Sequence, residues 1–245
     1  MNITKLMRLA LDPHALKAIF TWPKFSITSY EMIRDLKRVG LEPLTIIDVG
    51  ANMGQFAVAA AKGYPAAVIH SFEPGPGAAD VLRKCVSSLS GVIVYQTALG
   101  EKTGSANLII NQNSFSSSIL PLGQAHLAAF PSAKEIGSVA VEVSTLDDIF
   151  YNKELISPVL LKLDVQGYER QVIQGAARFL KKVDYVLVET SFLPLYVGEA
   201  TFSEIFRMLS DAGFSFVRPV GWLANPRSGE LLQMDALFLR QNGLG

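Results

Sequence analysis

The sequence predicts a layered α/β fold: a mostly parallel sheet with helices on both faces, finished by a late antiparallel hairpin. Three observations carry this expectation. Short β-branched apolar runs alternate with helix-length segments along most of the chain, the pattern of a parallel sheet built from strand–helix–strand units. The runs are apolar at nearly every position, as strands covered on both faces must be. The last two runs have no helical pattern between them, so they are expected to pair antiparallel.

Taken in order, Ile3, Leu6, Met7, Ala10 and Leu11 recur at helical spacing, and Lys5, Arg8, Asp12 and Pro13 interrupt the apolar start. This reads as an amphipathic helix packing on its own domain rather than a signal peptide, although a membrane-surface helix shares the pattern. Trp22-Pro23 breaks the chain. Ser29 to Val39 is helical and is closed by Gly40 and Pro43. Residues 1–43 therefore form a helical extension, and 44–245 the main domain. Strands follow at Leu44–Val49, Ala66–Phe72 and Val92–Gln96, with helices at Gln55–Lys62 and Gly77–Ser87 between them. From Ala98 to Ser138 the rhythm fails. A strand at Ala106–Ile110, a polar loop at Asn111–Ser118, a short helix at Gln124–Phe130 and a strand at Val139–Val143 are expected there. Asp147 and Asp148 start a helix within Thr145–Phe150. Alternation then resumes with strand Val159–Leu163, helix Tyr168–Leu180, strand Tyr185–Val188 and helix Phe202–Ala212. Phe214–Arg218 and Ala236–Leu239 are the closing strands.

Composition narrows the function. A chain of 245 residues that is 49% hydrophobic and 18% charged can bury a sizeable core. Its 22 Lys+Arg balance 22 Asp+Glu, which disfavours nucleic acid as a partner and gives no polybasic membrane patch. A single cysteine, Cys85, excludes an internal disulfide and a cysteine-built zinc site. No apolar run approaches the roughly 18 residues of a membrane span. A soluble cytoplasmic enzyme or ligand binder is expected.

The most informative segment is Asp48-Val-Gly-Ala-Asn-Met-Gly54, between a strand and a helix. Gly50 permits a sharp turn, Gly54 permits close packing at the helix start, and that helix start presents free N–H groups. Glu73 ends the next strand, nineteen residues after Gly54, where an acid can grip ribose hydroxyls. A dinucleotide and S-adenosylmethionine both fit this much. Asn52 stands where a pyrophosphate would need a glycine. Asp48 would repel a pyrophosphate yet suits the ammonium of a bound amino acid, so S-adenosylmethionine is favoured. An aspartate that merely caps the helix is the plainer alternative.

TIIDVGANMGQF and HSFEPGPGAADVL together resemble the FkbM family of S-adenosylmethionine-dependent methyltransferases. Later segments agree: Ser114–Ser118, VSTLDDI at 143–149, LLKLDVQGYERQVIQGA at 160–176, VLVET at 186–190 and DALF at 235–238. The resemblance runs from about Leu44 to Leu239. It implies a Rossmann-like class I methyltransferase sheet and S-adenosylmethionine as cofactor. It also implies O-methylation of a small-molecule or glycan acceptor, commonly a hydroxyl of a sugar, polysaccharide or glycosylated metabolite. An NAD or nucleotide-sugar oxidoreductase, or a non-catalytic cofactor binder, is the alternative.

Methyl transfer leans on positioning, but a hydroxyl is a poor nucleophile until a base takes its proton. Asp164 ends the strand VLLKL at the sheet edge where ligands bind, and is the leading base or orienting group. Glu169, one turn into the next helix, and Glu189, ending VLVE, can face the same cleft. Helix capping and a favourable helix dipole are the structural readings of Asp164 and Glu169. The family often has glutamate where this chain has Gln166, which weakens a metal reading, and no metal ligand set is assigned. Ala98 and Leu99 would flank adenine, and Ser116 and Ser117 the methionine or acceptor end. His126 is a weaker alternative base, and His70 is structural.

Overall fold

A computed structural model describes residues 12–112, 117–130, 133–225 and 228–241. The N-terminal pattern over residues 3–11, and Ser116, lie outside these. Helix α1 (Pro13–Thr21) is capped by Asp12, whose carboxylate also accepts the Tyr30 hydroxyl at 2.9 Å. Helix α2 (Ile27–Arg38) sends Met32, Ile33 and Leu36 into the core. The alternating part runs β1 (Thr45–Val49), α3 (Gln55–Gly63), β2 (Val68–Phe72), α4 (Pro76–Val86) and β3 (Val92–Tyr95). It resumes with β7 (Val159–Leu163), α7 (Glu169–Gln174), β8 (Tyr185–Ser191) and α8 (Phe202–Asp211), and closes with β9 (Phe214–Ala224) and β10 (Leu231–Arg240).

The seven strands are ordered β3-β2-β1-β7-β8-β10-β9. All pairings are parallel until β10, which runs antiparallel to both β8 and β9. Neighbouring residues of one strand feed opposite cores, which is why the strands read apolar throughout. Ile46 and Leu160 pack with α2 and α3 on one face, and Ile47 and Leu161 with Phe150, Phe179 and Ile205 on the other. Each such fully buried side chain is worth about 1.5–3 kcal/mol. Strand order reverses between β1 and β7, and a crevice opens at the carboxyl ends of the strands beside such a point.

The irregular stretch is a second sheet. β4 (Ala98–Leu99), β6 (Glu135–Ser144) and β5 (Gly104–Asn111) lie in that order, with α5 (Gln124–Ala129) between β5 and β6 in sequence. Ala98, Leu108, Val141 and Val143 form its own small core. Helix α6 (Leu146–Ile149) follows, capped by the Thr145 hydroxyl.

Two expectations change. The helix expected over Tyr168–Leu180 stops at Gln174, and only a 3₁₀ turn, Phe179–Lys182, continues it. Gly175 lies so close to β4's exit that a Cβ would come within 2.0 Å of the Gly100 carbonyl oxygen. The Asp147 carboxylate then captures the N–H groups of Arg178 and Phe179, at 2.9 and 2.6 Å. The closing strands are also longer than expected. The first was expected to end at Arg218, just before Pro219, but β9 continues to Ala224 because it is an edge strand, where proline is tolerated.

Candidate active site

A cavity of about 960 Å³ opens at the switch point, at the carboxyl edge of the sheet. Its floor is the β1–α3 loop. Gly50 has φ +78°, and a Cβ there would sit 1.8 Å from the Asp164 carbonyl oxygen, so only glycine fits. The N–H groups of Gly50 and Ala51 both donate to the Phe72 carbonyl, at 3.0 and 2.9 Å. Asn52 is also left-handed, with φ 47°. Its N–H donates to Glu73 Oε2 at 2.9 Å, while Glu73 Oε1 accepts the Gly75 N–H at 2.8 Å. Burial pushes the Glu73 carboxyl up, and these two donors pull it back. Gly54 is turned away from the cavity: a Cβ there would meet Leu82 Cδ1 at 2.8 Å, so its space is used in helix packing. Ala98 and Leu99 are buried on the cavity wall, and Ser117 lines it while accepting the Asn111 N–H at 3.2 Å.

Asp48 points away from the cavity. Its side chain has no exposed surface and meets Lys162 Nζ at 3.3 Å; the same ammonium lies 3.3 Å from Asp164 Oδ2. The pairing follows from register, because Asp48 and Lys162 are partners in β1 and β7. The ammonium also sits 5.2 Å above the Phe56 ring. Burial opposes the lysine's charge, but Asp164 and Asp48 together hold it above the ordinary lysine range. Asp48 therefore meets an internal ammonium instead of the ammonium of a bound amino acid.

Asp164 is one-third exposed and lies on the cavity wall. Gln166, at φ 55°, donates through Nε2 to Asp164 Oδ1 and to Glu189 Oε2, both at 2.8 Å. A glutamate at 166 would place a third carboxyl between these two. Tyr196 fixes the amide by donating to Gln166 Oε1 at 2.6 Å, and Ser118 donates to the Gln166 carbonyl at 2.6 Å. Gln233 adds a 3.3 Å bond to Glu189 Oε2. Asp235 is the register partner of Glu189 and of Gly221; a Cβ at 221 would meet Asp235 Oδ2 at 2.5 Å. Burial with Asp164 and Asp235 nearby raises the Glu189 carboxyl well above the carboxylate range, and burial beside Asp164 pushes Asp235 up to about 6.

Glu169 does not line the cavity. Its Oε1 accepts the N–H groups of Val165 and Gly167, at 2.9 and 3.3 Å, so it clasps the loop that presents Asp164 and Gln166. Burial pushes it up to about 8. His70 lies in β2, 3.1 Å from the Tyr95 hydroxyl, and burial lowers it to about 4, so it packs as a neutral ring.

Asp164 and Glu189 thus share one cluster, and Glu73, Ala98 and Leu99 share the adjoining wall. Lys162, Gln233, Asp235 and Tyr196 were not foreseen. For Lys162 a signal existed: a lysine inside an otherwise apolar five-residue strand must have a partner when buried. Tyr196 carries no local signal.

A sheet in this order, parallel except for β10 inserted antiparallel between β8 and β9, with a glycine-bearing first loop and an acid after β2 at the cleft, is the arrangement expected of an S-adenosylmethionine-dependent methyltransferase. The chain belongs to the FkbM methyltransferase family, whose methyltransferase domain matches residues 48–216. It is 28% identical over 170 residues to the 2-O-methyltransferase NoeI of Sinorhizobium fredii, covering 67% of this chain and 70% of that one. It is 26% identical over 185 residues to the hexuronic acid methyltransferase AglP of Haloferax volcanii, covering 76% and 69%. Among solved structures, the N-terminal domain of EvdMO1 with SAH bound shares the fold, with a TM-score of 0.52 and 9% identity over 94% of this chain and 85% of that one. The oxidoreductase and non-catalytic alternatives give way to this assignment. No helix among the described residues is long and apolar enough to cross a membrane.

Proposed function

We propose that the protein O-methylates a hydroxyl of a sugar-like acceptor, with Asp164 as the base. One observation carries the reading: a carboxylate that is one-third exposed on the cavity wall, with each oxygen already oriented by a fixed donor. Two relatives support this reading: the name of NoeI specifies methylation of an oxygen, and that of AglP a hexuronic acid as the acceptor.

The cavity suits the cofactor. Asn52 Oδ1 is buried without a partner among the described residues, at the loop where a polar ligand group would reach it. Glu73 retains lone pairs after its two backbone contacts and would hold the ribose. Ala98 and Leu99 would flank the adenine, the backbone at Gly50 would face the methionine end, and Ser117 would lie toward the acceptor. Bound S-adenosylmethionine supplies an electrophilic methyl on a sulfonium.

The chain's own groups handle the proton. Lys162 and Gln166 hold the two Asp164 oxygens, and a carboxylate keeps further lone pairs for an incoming hydroxyl. On taking the proton Asp164 loses its charge, yet Lys162 is not stranded because Asp48 still pairs with it. Both amide donors to Glu189 land on Oε2, which leaves Oε1 to orient the acceptor. The proton leaves through the exposed side of Asp164.

Asp164→Asn tests this. Asparagine keeps size and capping ability but cannot take the proton. Transfer of labelled methyl to glycoside acceptors should fall about 10²–10⁴-fold, with S-adenosylhomocysteine affinity and melting temperature nearly unchanged. Near-parental turnover would remove Asp164 as the base.

A further inference from the structure

One polar atom on the cavity wall has no task in the scheme above. His126, in α5, is buried and lines the cavity, and its Nδ1 has no hydrogen-bond partner among the described residues. A buried polar atom left unpaired costs about 1–3 kcal/mol, so its retention on a ligand-facing wall calls for a partner. The ring is fixed on two sides, 5.3 Å from Phe130 and 5.6 Å from Tyr196 between centroids. Tyr196 holds Gln166, and Gln166 bridges Asp164 and Glu189. His126 is therefore linked through Tyr196 and Gln166 to Asp164 and Glu189, the groups that meet the reacting hydroxyl. Phe130 is on the same wall and offers an apolar ring beside the imidazole.

We propose that His126 and Phe130 form an acceptor subsite: Nδ1 of His126 bonds a hydroxyl other than the one methylated, and Phe130 covers an apolar C–H face of the same ring. The chemistry of the pair selects the ligand. Burial keeps the imidazole neutral, because it lowers the affinity for a proton. A neutral imidazole nitrogen is a donor or an acceptor according to tautomer, and a hydroxyl can answer either. A carboxylate only accepts and an ammonium only donates. A saturated ring bearing hydroxyls at its edge and axial C–H bonds on its face satisfies both residues at once. His126 is a positioning and specificity residue in this scheme, and the base remains Asp164. The inference rests on the hydroxyl-methylation reading and extends it to a second contact.

The test uses the intact protein, His126→Phe and His126→Asn, with labelled S-adenosylmethionine. The probes are methyl glycosides of fucose, rhamnose and glucose, their monodeoxy analogues, and amine and carboxylic acid analogues. His126→Phe keeps ring volume and removes both nitrogens; His126→Asn restores a polar atom near Nδ1. For a methylated glycoside, His126→Phe should raise KM about tenfold, the loss expected for one hydrogen bond. Its kcat should stay within a few-fold, and S-adenosylhomocysteine affinity should not change. His126→Asn should recover part of the loss. One monodeoxy analogue should be as poor a substrate for the parent as its glycoside is for His126→Phe, and that variant should not distinguish the two. Glycosides methylated with equal KM by parent and His126→Phe would overturn the contact alone. Methylation of only the amine or carboxylic acid probes, or of none, would overturn the hydroxyl reading and this contact with it.

Discussion

Replacing Lys162 with methionine isolates the energetic centre of the site. The ammonium is shared by two carboxylates, each 3.3 Å away, and its side chain is 6% exposed. The two partners differ in what the loss would leave behind. Asp164 is one-third exposed and can turn to water, whereas Asp48 has no exposed surface and, among the described residues, keeps only a long 3.4 Å bond from Ser71. Breaking a buried pair by removing one partner costs about 3–5 kcal/mol, because a desolvated charge remains. For a chain of this size that lowers Tm by roughly 10 °C. The cost should depend on pH in a defined direction. Without Lys162 the Asp48 carboxyl is raised further in the folded protein, so the variant is least impaired in acid and loses stability as pH rises. Adding Asp48→Leu should recover most of the loss, since replacing both members of a buried pair with apolar groups is often neutral. Urea melts of parent, single and double variants from about pH 5 to about pH 8 measure this. A single-variant loss below about 1 kcal/mol throughout, or a double variant no more stable than the single, would refute the shared-ammonium account.

S-adenosylhomocysteine at about 100 times its Kd should stabilise the parent by roughly 2.7 kcal/mol in a thermal melt. NADH should not. Glu73→Ala should weaken that ligand by about 1–3 kcal/mol in calorimetry while leaving the fold intact; an unchanged affinity would mean that another group reads the ribose. Glu169 gives a second pH signature. Its folded carboxyl titrates at about 8 and the unfolded one near 4.3, so its stabilising contribution is complete below the lower value. It is lost as pH rises through the upper one, by up to about 1.4 kcal/mol per pH unit. Glu169→Gln keeps an oxygen acceptor for Val165 and Gly167 and cannot ionise, so its urea melts should show less decline across that window. An equal decline in both proteins would show that Glu169 is not the titrating group.

The order of strands and helices, the first loop and its acid were legible because local rules govern them. A strand buried on both faces must be apolar throughout, a turn with positive φ needs Gly50, and an acid must end β2 to meet the cleft. The resemblance of ordered motifs to the FkbM family was legible for the same reason, being carried by contiguous segments. What each polar side chain touches was not local. Asp48 and Lys162 are far apart in sequence and meet only because β1 and β7 pair in one register. Asp235 faces Glu189 only because β10 returns antiparallel beside β8. Glu169 looked like a cleft residue by helical spacing, but the strained turn at Gln166 and Gly167 offers it two backbone donors, and it folds inward to them. Which segments become strands and helices, and which strand ends carry the glycine loop and the acids, could be read from the residues alone, since periodicity and turn chemistry are properties of short segments. Which carboxylates face the crevice and which are sealed beneath it emerged from the folded chain, because strand register and the burial of charge are set by partners distant in sequence.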